Sequence, residues 1–290
     1  MEDISSLKLQ PTGDGSFTFF SSEFGETFHS TSGAREEALL KFVYPLDLIS
    51  KAQQPSLQLL DVCYGLGYNT AAALEAIWAT NPNCQVELIA LELDPSVPKA
   101  AIAHTLVNIW SNPIPQILAQ LATKQQIQTD RLQATLYLGD ARKSIQQIRS
   151  DFQADAIFLD PFSPPNCPQM WTVEFLSLVA QHLKPTGKLA TYSCSAAVRT
   201  ALIIAGLQIG STSPVGRRSP GTLASFSVAD LPLISQAETE HLQTRAAVPY
   251  RDPHLCDWAT IISDRRKIEQ ESSCLEPTAR WKKRWLIAQT

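Results

Sequence analysis

The sequence has no uninterrupted apolar run approaching about 18 residues, the length a helix needs to span a bilayer, so no membrane association is expected. Its six cysteines form no C-x-x-C pair and lie far apart, which argues against a zinc site or a disulfide framework, and no metal is expected. The opening Met1-Glu2-Asp3-Ile4 lacks the basic and apolar regions of a secretory signal, and a cytoplasmic location is the expectation. Positive charge is not in excess either. A formal net charge of -4 over 290 residues rules out holding nucleic acid by overall charge. No internal repeat is present.

Apolar residues make up 44% of the chain, enough for a sizeable core. Basic residues group locally at Arg217-Arg218, Arg265-Arg266-Lys267 and Lys282-Lys283-Arg284. Such groups are solvated patches or a restricted positive face for phosphates. Trp281 and Trp285, four residues apart, share one helical face and read as packing residues rather than RNA-stacking ones.

The pattern divides into residues 1–50, a β-hairpin (Phe17 to Phe20 and Glu26 to His29) with a lead-in helix from Arg35 to about Leu48; 51–230, the main domain; and 231–290, an extension wrapping it. From Leu57 onward, short apolar strands alternate with helices: Leu57 to Val62, Val86 to Leu91, Ala134 to Leu138, Asp155 to Leu159 and Lys188 to Tyr192. Residues 207–228 suit a final hairpin, and 108–131 read as a helical or irregular insertion. Buried strands alternating with helices predict an α/β, doubly wound, mostly parallel sheet.

In such sheets ligands bind beyond the carboxyl ends of the strands, and four acidic residues fall there. Asp61 precedes the turn Gly65-Leu66-Gly67, which opens a helix at Asn69-Thr70. A dinucleotide fingerprint needs a third glycine where Thr70 stands, so a nucleoside with a charged amino-acid tail fits better than a pyrophosphate. Gly65 and Gly67 would cradle the tail, with Asp61 near its ammonium group. Glu92, ending the second strand, is an acceptor suited to both ribose hydroxyls, or else a helix cap. Asp140, with the amide of Ala141, fits the exocyclic amine and ring nitrogen of an adenine, or caps the following helix. Asp160 opens the rigid loop Asp160-Pro161-Phe162-Ser163-Pro164-Pro165. A carboxylate on such an edge can orient an amine in line with a methyl sulfonium, and either receive its proton or leave it to water, with the Pro161 or Phe162 carbonyl taking its other hydrogens. Phe162 or Trp171 would stack on a base; the bland alternative is a structural Pro-rich turn with aromatic anchors.

These stretches, Asp61 to Asn69, Glu92, Leu138-Gly139-Asp140, Asp155 to Pro164, Asn166 to Thr172, Leu183 to Ser193, Ala197 to Gly206 and Val215-Gly216-Arg217-Arg218, resemble the methyltransferase domain of the MnmC family of tRNA 5-methylaminomethyl-2-thiouridine biosynthesis proteins, in stand-alone form. The resemblance implies a class I, Rossmann-like S-adenosyl-L-methionine-dependent fold with a mostly parallel seven-stranded sheet. It implies S-adenosyl-L-methionine on Asp61, Gly65, Gly67, Asn69, Glu92, Asp140, Ala141 and Asp160. tRNA is the implied partner, met by Pro161, Phe162, Trp171, Arg217 and Arg218, and the reaction is methylation of an aminomethyl group on wobble uridine 34. Many relatives carry a fused flavin oxidase. This chain is too short for one, so no FAD is expected and another enzyme would supply the aminomethyl substrate. Two positions depart from the family pattern: Pro161 stands where Gly is usual, as does Thr186. The competing readings are a polyamine aminopropyltransferase, a methyltransferase of another nucleic-acid or protein amine, and a noncatalytic RNA-binding protein.

Overall fold

The computed structural model of the chain describes residues 7–216 and 219–285. The first elements are three strands, β1 (Leu7–Pro11), β2 (Phe17–Ser21) and β3 (Glu26–Thr27), paired antiparallel in that order. The expected hairpin thus gains a strand at its front. The lead-in helix is broken into α1 (Ala34–Ala38), a π-helical turn over Leu39–Val43 and, after a short gap, α2 (Leu48–Lys51). Asp47, in the left-handed region at φ 55, makes that break, a backbone shape Asp tolerates better than most residues.

The main sheet follows: β4 (Ser56–Val62), α3 (Tyr68–Thr80), β5 (Gln85–Glu92), α4 (Ser96–Ala103), α5 (Ile114–Lys124), β6 (Gln126–Gln128), β7 (Leu132–Leu138), α6 (Ala141–Ser144), β8 (Ala154–Leu159), α7 (Val173–Gln181), β9 (Leu183–Thr191), α8 (Ala196–Ile204), β10 (Gln208–Ser211) and β11 (Thr222–Ser225). Its spatial order is β10-β11-β9-β8-β4-β5-β7-β6. The five central strands are parallel, while β6, β10 and β11 run antiparallel to their neighbours. This is the doubly wound, mostly parallel arrangement expected, with an eighth strand, β6, in the insertion read as helical or irregular. Three residues are too few to show a strand period in sequence.

Alternation along the strands feeds two cores. In β8, Ala156 and Phe158 pack with α3, while Ile157 and Leu159 pack with α7 and α8. The small side chains of Ala71, Ala72 and Ala73, all fully buried, let α3 lie close against the sheet. The chain builds outward from β4 to one side and returns through β8 to the other, so the order reverses between β4 and β8. That reversal opens a crevice at their carboxyl ends.

Beyond Asp230, α9 (Gln236–His241), α10 (Ala259–Ser272) and α11 (Thr278–Trp285) pack back on this core. The buried Arg199 of α8 donates to Glu238 at 2.8 Å, to Thr222 at 2.9 Å and to Ser211 at 3.0 Å. The grouped cations turn out to be partly internal ties. Arg266 donates to the carbonyls of Val248 and Ala246 at 2.7 and 3.0 Å and lies over the Tyr250 ring. Trp281 stacks on His241 and donates to the Ala237 carbonyl, and Trp285 donates to Glu240, so both tryptophans hold α11 in place. Among the described residues no helix is long and apolar enough to cross a membrane.

Candidate active site

The reversal of strand order sets Asp61 beside Asp160, with Glu92 on the next strand. The Gly139 amide, donating to the Glu92 carbonyl at 2.8 Å, ties the Asp140 turn to that strand's end. Val62 and Leu159 are register partners, and the Asp160 amide donates to the Val62 carbonyl at 3.1 Å. The glycine turn therefore sits beside the start of the Pro-rich loop. Across this junction Asn69, near the start of α3, donates to Asp160 Oδ2 at 2.9 Å.

The turn itself needs its glycines. Gly65 and Gly67 have φ of 57° and 81°. A Cβ on Gly67 would stand 2.4 Å from the Tyr64 hydroxyl, and Tyr64 is buried. The left-handed backbone costs an L-residue about 1–2 kcal/mol and the overlap adds to it, so Gly67→Ala is expected to destabilise the fold by more than about 2 kcal/mol. Chemical denaturation checks this; an unchanged midpoint would contradict the packing described.

Asp61 is wholly buried. Thr70, the residue replacing the third glycine, donates to its Oδ2 at 2.7 Å, and Oδ1 has no partner. Burial, reinforced by the charges of Asp160 and Glu92, pushes its carboxyl up to about 8 against the pull of Thr70. Glu92, also buried, accepts from the Gly65 amide at 2.7 Å and the Asp94 amide at 2.9 Å, so it holds the glycine turn shut from below. Burial raises it to about 6 although these amides favour its charged form.

A pH dependence follows. Folded Asp61 keeps its proton up to about pH 8, whereas the unfolded group ionises near its ordinary 3.8. Between those values the folded state binds more protons, so stability falls as pH rises, by up to about 1.4 kcal/mol per unit. Asp61→Asn, which cannot ionise, is expected to flatten this slope in the cofactor-free protein, with a melting temperature above wild type at pH 8 and a gap that narrows steadily as pH falls toward the unfolded group's 3.8. Thermal melts across that range check it, and parallel slopes would count against the assignment.

The Pro-rich loop is held from several sides. Glu26 of β3 accepts the Ser163 amide at 2.9 Å, the Ser163 hydroxyl and the Asn166 side-chain amide at 2.9 Å. Tyr192 donates to the Pro161 carbonyl at 2.9 Å and Trp171 to the Phe162 carbonyl at 2.8 Å. Both carbonyls expected to take amine hydrogens thus already accept one bond each. Trp171 is fully buried, so the structure corrects the idea that it stacks on a base: its indole anchors the loop from beneath, and its faces are covered. Phe162 is half-buried, stacked on Phe24 at 4.3 Å and edge-on to Phe28 at 4.9 Å. Sequence reasoning missed Glu26, Phe24, Phe28 and Tyr192, which reach the loop from segments far away in the chain. Arg217 and Arg218 lie outside the described residues.

Asp140 caps α6, accepting from the Arg142 amide at 3.0 Å, and Ala141 begins that helix in a buried position. Both readings of Asp140 therefore survive, because a capping carboxylate has further lone pairs to offer.

The site suits the nucleoside expected from the sequence. The Oδ1 atoms of Asp61 and Asn69 are buried and unpartnered, and an α-ammonium group would donate to both while drawing Asp61 into its charged form. Comparison with known proteins agrees. A family model described as S-adenosyl-L-methionine-dependent methyltransferase matches residues 104–227. An uncharacterized protein of Methanocaldococcus jannaschii is 31% identical over 271 residues, 89% of this chain and 71% of that one. The crystal structure of MnmC2 from Aquifex aeolicus superposes with a TM-score of 0.82 at 33% identity, covering 92% of this chain and 86% of that one. The tRNA 5-methylaminomethyl-2-thiouridine biosynthesis bifunctional protein MnmC of Ralstonia nicotianae is 27% identical over 238 residues, which are 77% of this chain and 34% of that protein. The chain thus spans about a third of the length of the bifunctional relatives it matches.

Proposed function

Because this chain belongs to the S-adenosyl-L-methionine-dependent methyltransferase family that includes MnmC2, we propose that it methylates the primary amine of 5-aminomethyluridine, or its 2-thio form, at tRNA position 34. The observation that carries this reading is the link from Asn69 to Asp160, which joins the cofactor turn to the substrate loop. The names of the bifunctional relatives support tRNA as the substrate.

Asp61 and Asn69 would hold the ammonium end of the cofactor, Gly65 and Gly67 would give its tail room against the backbone, Glu92 would take the ribose hydroxyls, and Asp140 with the Ala141 amide would take the base. When bound, S-adenosyl-L-methionine supplies a methyl group on a sulfonium, whose thioether needs no acid to leave. What the protein must provide is alignment and a neutral nucleophile. Asp160 accepts a hydrogen bond from the substrate amine and orients its lone pair, and the proton that a primary aliphatic amine carries near neutral pH leaves to the Asp160 carboxylate or through it to water. Glu26, Tyr192 and Trp171 keep the loop rigid, so that Asp160 needs no reorganisation when substrate arrives. Phe162, half-buried between Phe24 and Phe28, is the aromatic of this loop that would meet the uracil ring.

Presenting purified protein with S-adenosyl-L-methionine and, separately, its decarboxylated form tests this against aminopropyl transfer. Tight binding of the carboxylate-bearing donor and methyl transfer to tRNA, with no transfer to putrescine, is expected. Preference for the decarboxylated donor would overturn the assignment.

A further inference from the structure

Asp140 has a second set of partners that its motif does not foretell. The Arg142 guanidinium grips its carboxylate, with Nη2 at 2.7 Å from Oδ2 and Nε at 3.1 Å from both oxygens. The same guanidinium reaches into the C-terminal segment, where Nη1 donates to Asp252 Oδ2 at 2.7 Å and to the Asp257 carbonyl at 2.9 Å. Asp252 is fully buried. Its Oδ1 accepts the amides of Cys256 and Asp257 at 3.2 Å each, and its own amide donates to Glu174 at 2.7 Å. Arg265 closes the ring by donating to Asp257 Oδ2 and to the Arg251 carbonyl, both at 2.6 Å.

Burying a carboxylate is costly unless it is paired, and Arg142 is the cation that pairs Asp252. A guanidinium is a planar fork whose donors move as one body. Once Nη1 is fixed on Asp252, the directions of Nε and Nη2 are fixed too, and with them the plane of the Asp140 carboxylate. A lysine at 142 would supply the charge without this geometry.

We propose that Asp252 and Arg142 are positioning residues for base recognition: through Arg142, the C-terminal segment sets the orientation in which Asp140 meets the 6-amino group of the cofactor's adenine. The inference rests on Asp140 reading that amine. It makes the segment after Asp230 part of the cofactor site although none of its residues is assigned to touch the nucleoside.

The test is calorimetric binding of S-adenosyl-L-homocysteine against its 6-deamino analogue, in which hydrogen replaces the amine and the N1 acceptor is kept. Wild type is expected to prefer the adenine compound by roughly tenfold or more, the worth of one hydrogen bond to a charged group. Asp252→Asn and Arg142→Lys should each reduce that preference to about threefold or less, and their combination should do no more than either alone, as expected for two residues acting in one chain. Arg142→Lys leaves a cation facing Asp252, so it tests geometry should Asp252→Asn fail to fold. General loosening of the tail would weaken both ligands alike and leave their ratio intact. A ratio that persists in Arg142→Lys but is lost in Asp140→Ala would overturn the relay alone. A ratio that persists in Asp140→Ala would overturn the reading of Asp140, and the relay with it.

Discussion

Replacing Asp160 by Ala is expected to lower kcat for methyl transfer by 10²–10⁴-fold, the usual worth of a positioned acid–base group, while the cofactor Kd shifts by less than about tenfold. The asymmetry follows from where Asp160 sits. It opens the substrate loop, and its contact with the cofactor side passes through Asn69 at 2.9 Å. Removing its carboxylate leaves Glu92, Asp140 and the glycine turn in place, so binding persists while alignment of the amine is lost. Asp160→Asn keeps the shape and can still accept from Asn69. It should recover part of the loss, with the remainder shrinking as pH rises and the free-base amine becomes abundant. Single-turnover rates with calorimetric Kd values separate the two effects. Equal losses in binding and turnover would place Asp160 in the cofactor site instead.

The second large effect is expected at Glu92. Its two oxygens already hold the Gly65 and Asp94 amides, and each has a lone pair left for a ribose hydroxyl. Hydrogen bonds to a charged group are worth about 1.5–3 kcal/mol each, so Glu92→Gln should weaken cofactor binding on the order of 10²-fold. Part of that loss is local, because the new amide donor faces backbone N–H groups. A 2′,3′-dideoxy analogue of S-adenosyl-L-homocysteine separates the two contributions: it should bind wild type weakly and lose little more on substitution. If the analogue loses as much as the parent compound, Glu92 supports the turn and does not read the ribose.

The parts of this site legible in the sequence were those encoded locally. Asp61, Glu92 and Asp160 each end an apolar run short enough to be a buried strand, and the switch-point rule then puts such ends around one crevice. Thr70 in place of a third glycine spoke against a pyrophosphate, and in the structure its hydroxyl is spent on Asp61. What stayed hidden depends on tertiary partners. Trp171 reads as a stacking residue until Phe162 and Tyr192 are seen around it, because sequence does not tell a buried indole from an exposed one. Glu26 belongs to a strand of two residues, and nothing nearby announces that it holds Ser163. Arg265 and Arg266 looked like a surface cluster, yet they spend their donors on carbonyls and on Asp257. The strand β6 and the break at Asp47 fell below the length at which periodicity carries a signal.

The central claim is methyl transfer to an aminomethyl group on tRNA, and it is tested most directly with methyl-labelled S-adenosyl-L-methionine and tRNA bearing 5-aminomethyluridine, followed by nucleoside mass spectrometry. The account predicts labelled 5-methylaminomethyluridine at position 34, abolished in Asp160→Ala that still binds cofactor. Folded, cofactor-bound protein that leaves verified aminomethyl tRNA unlabelled would contradict it.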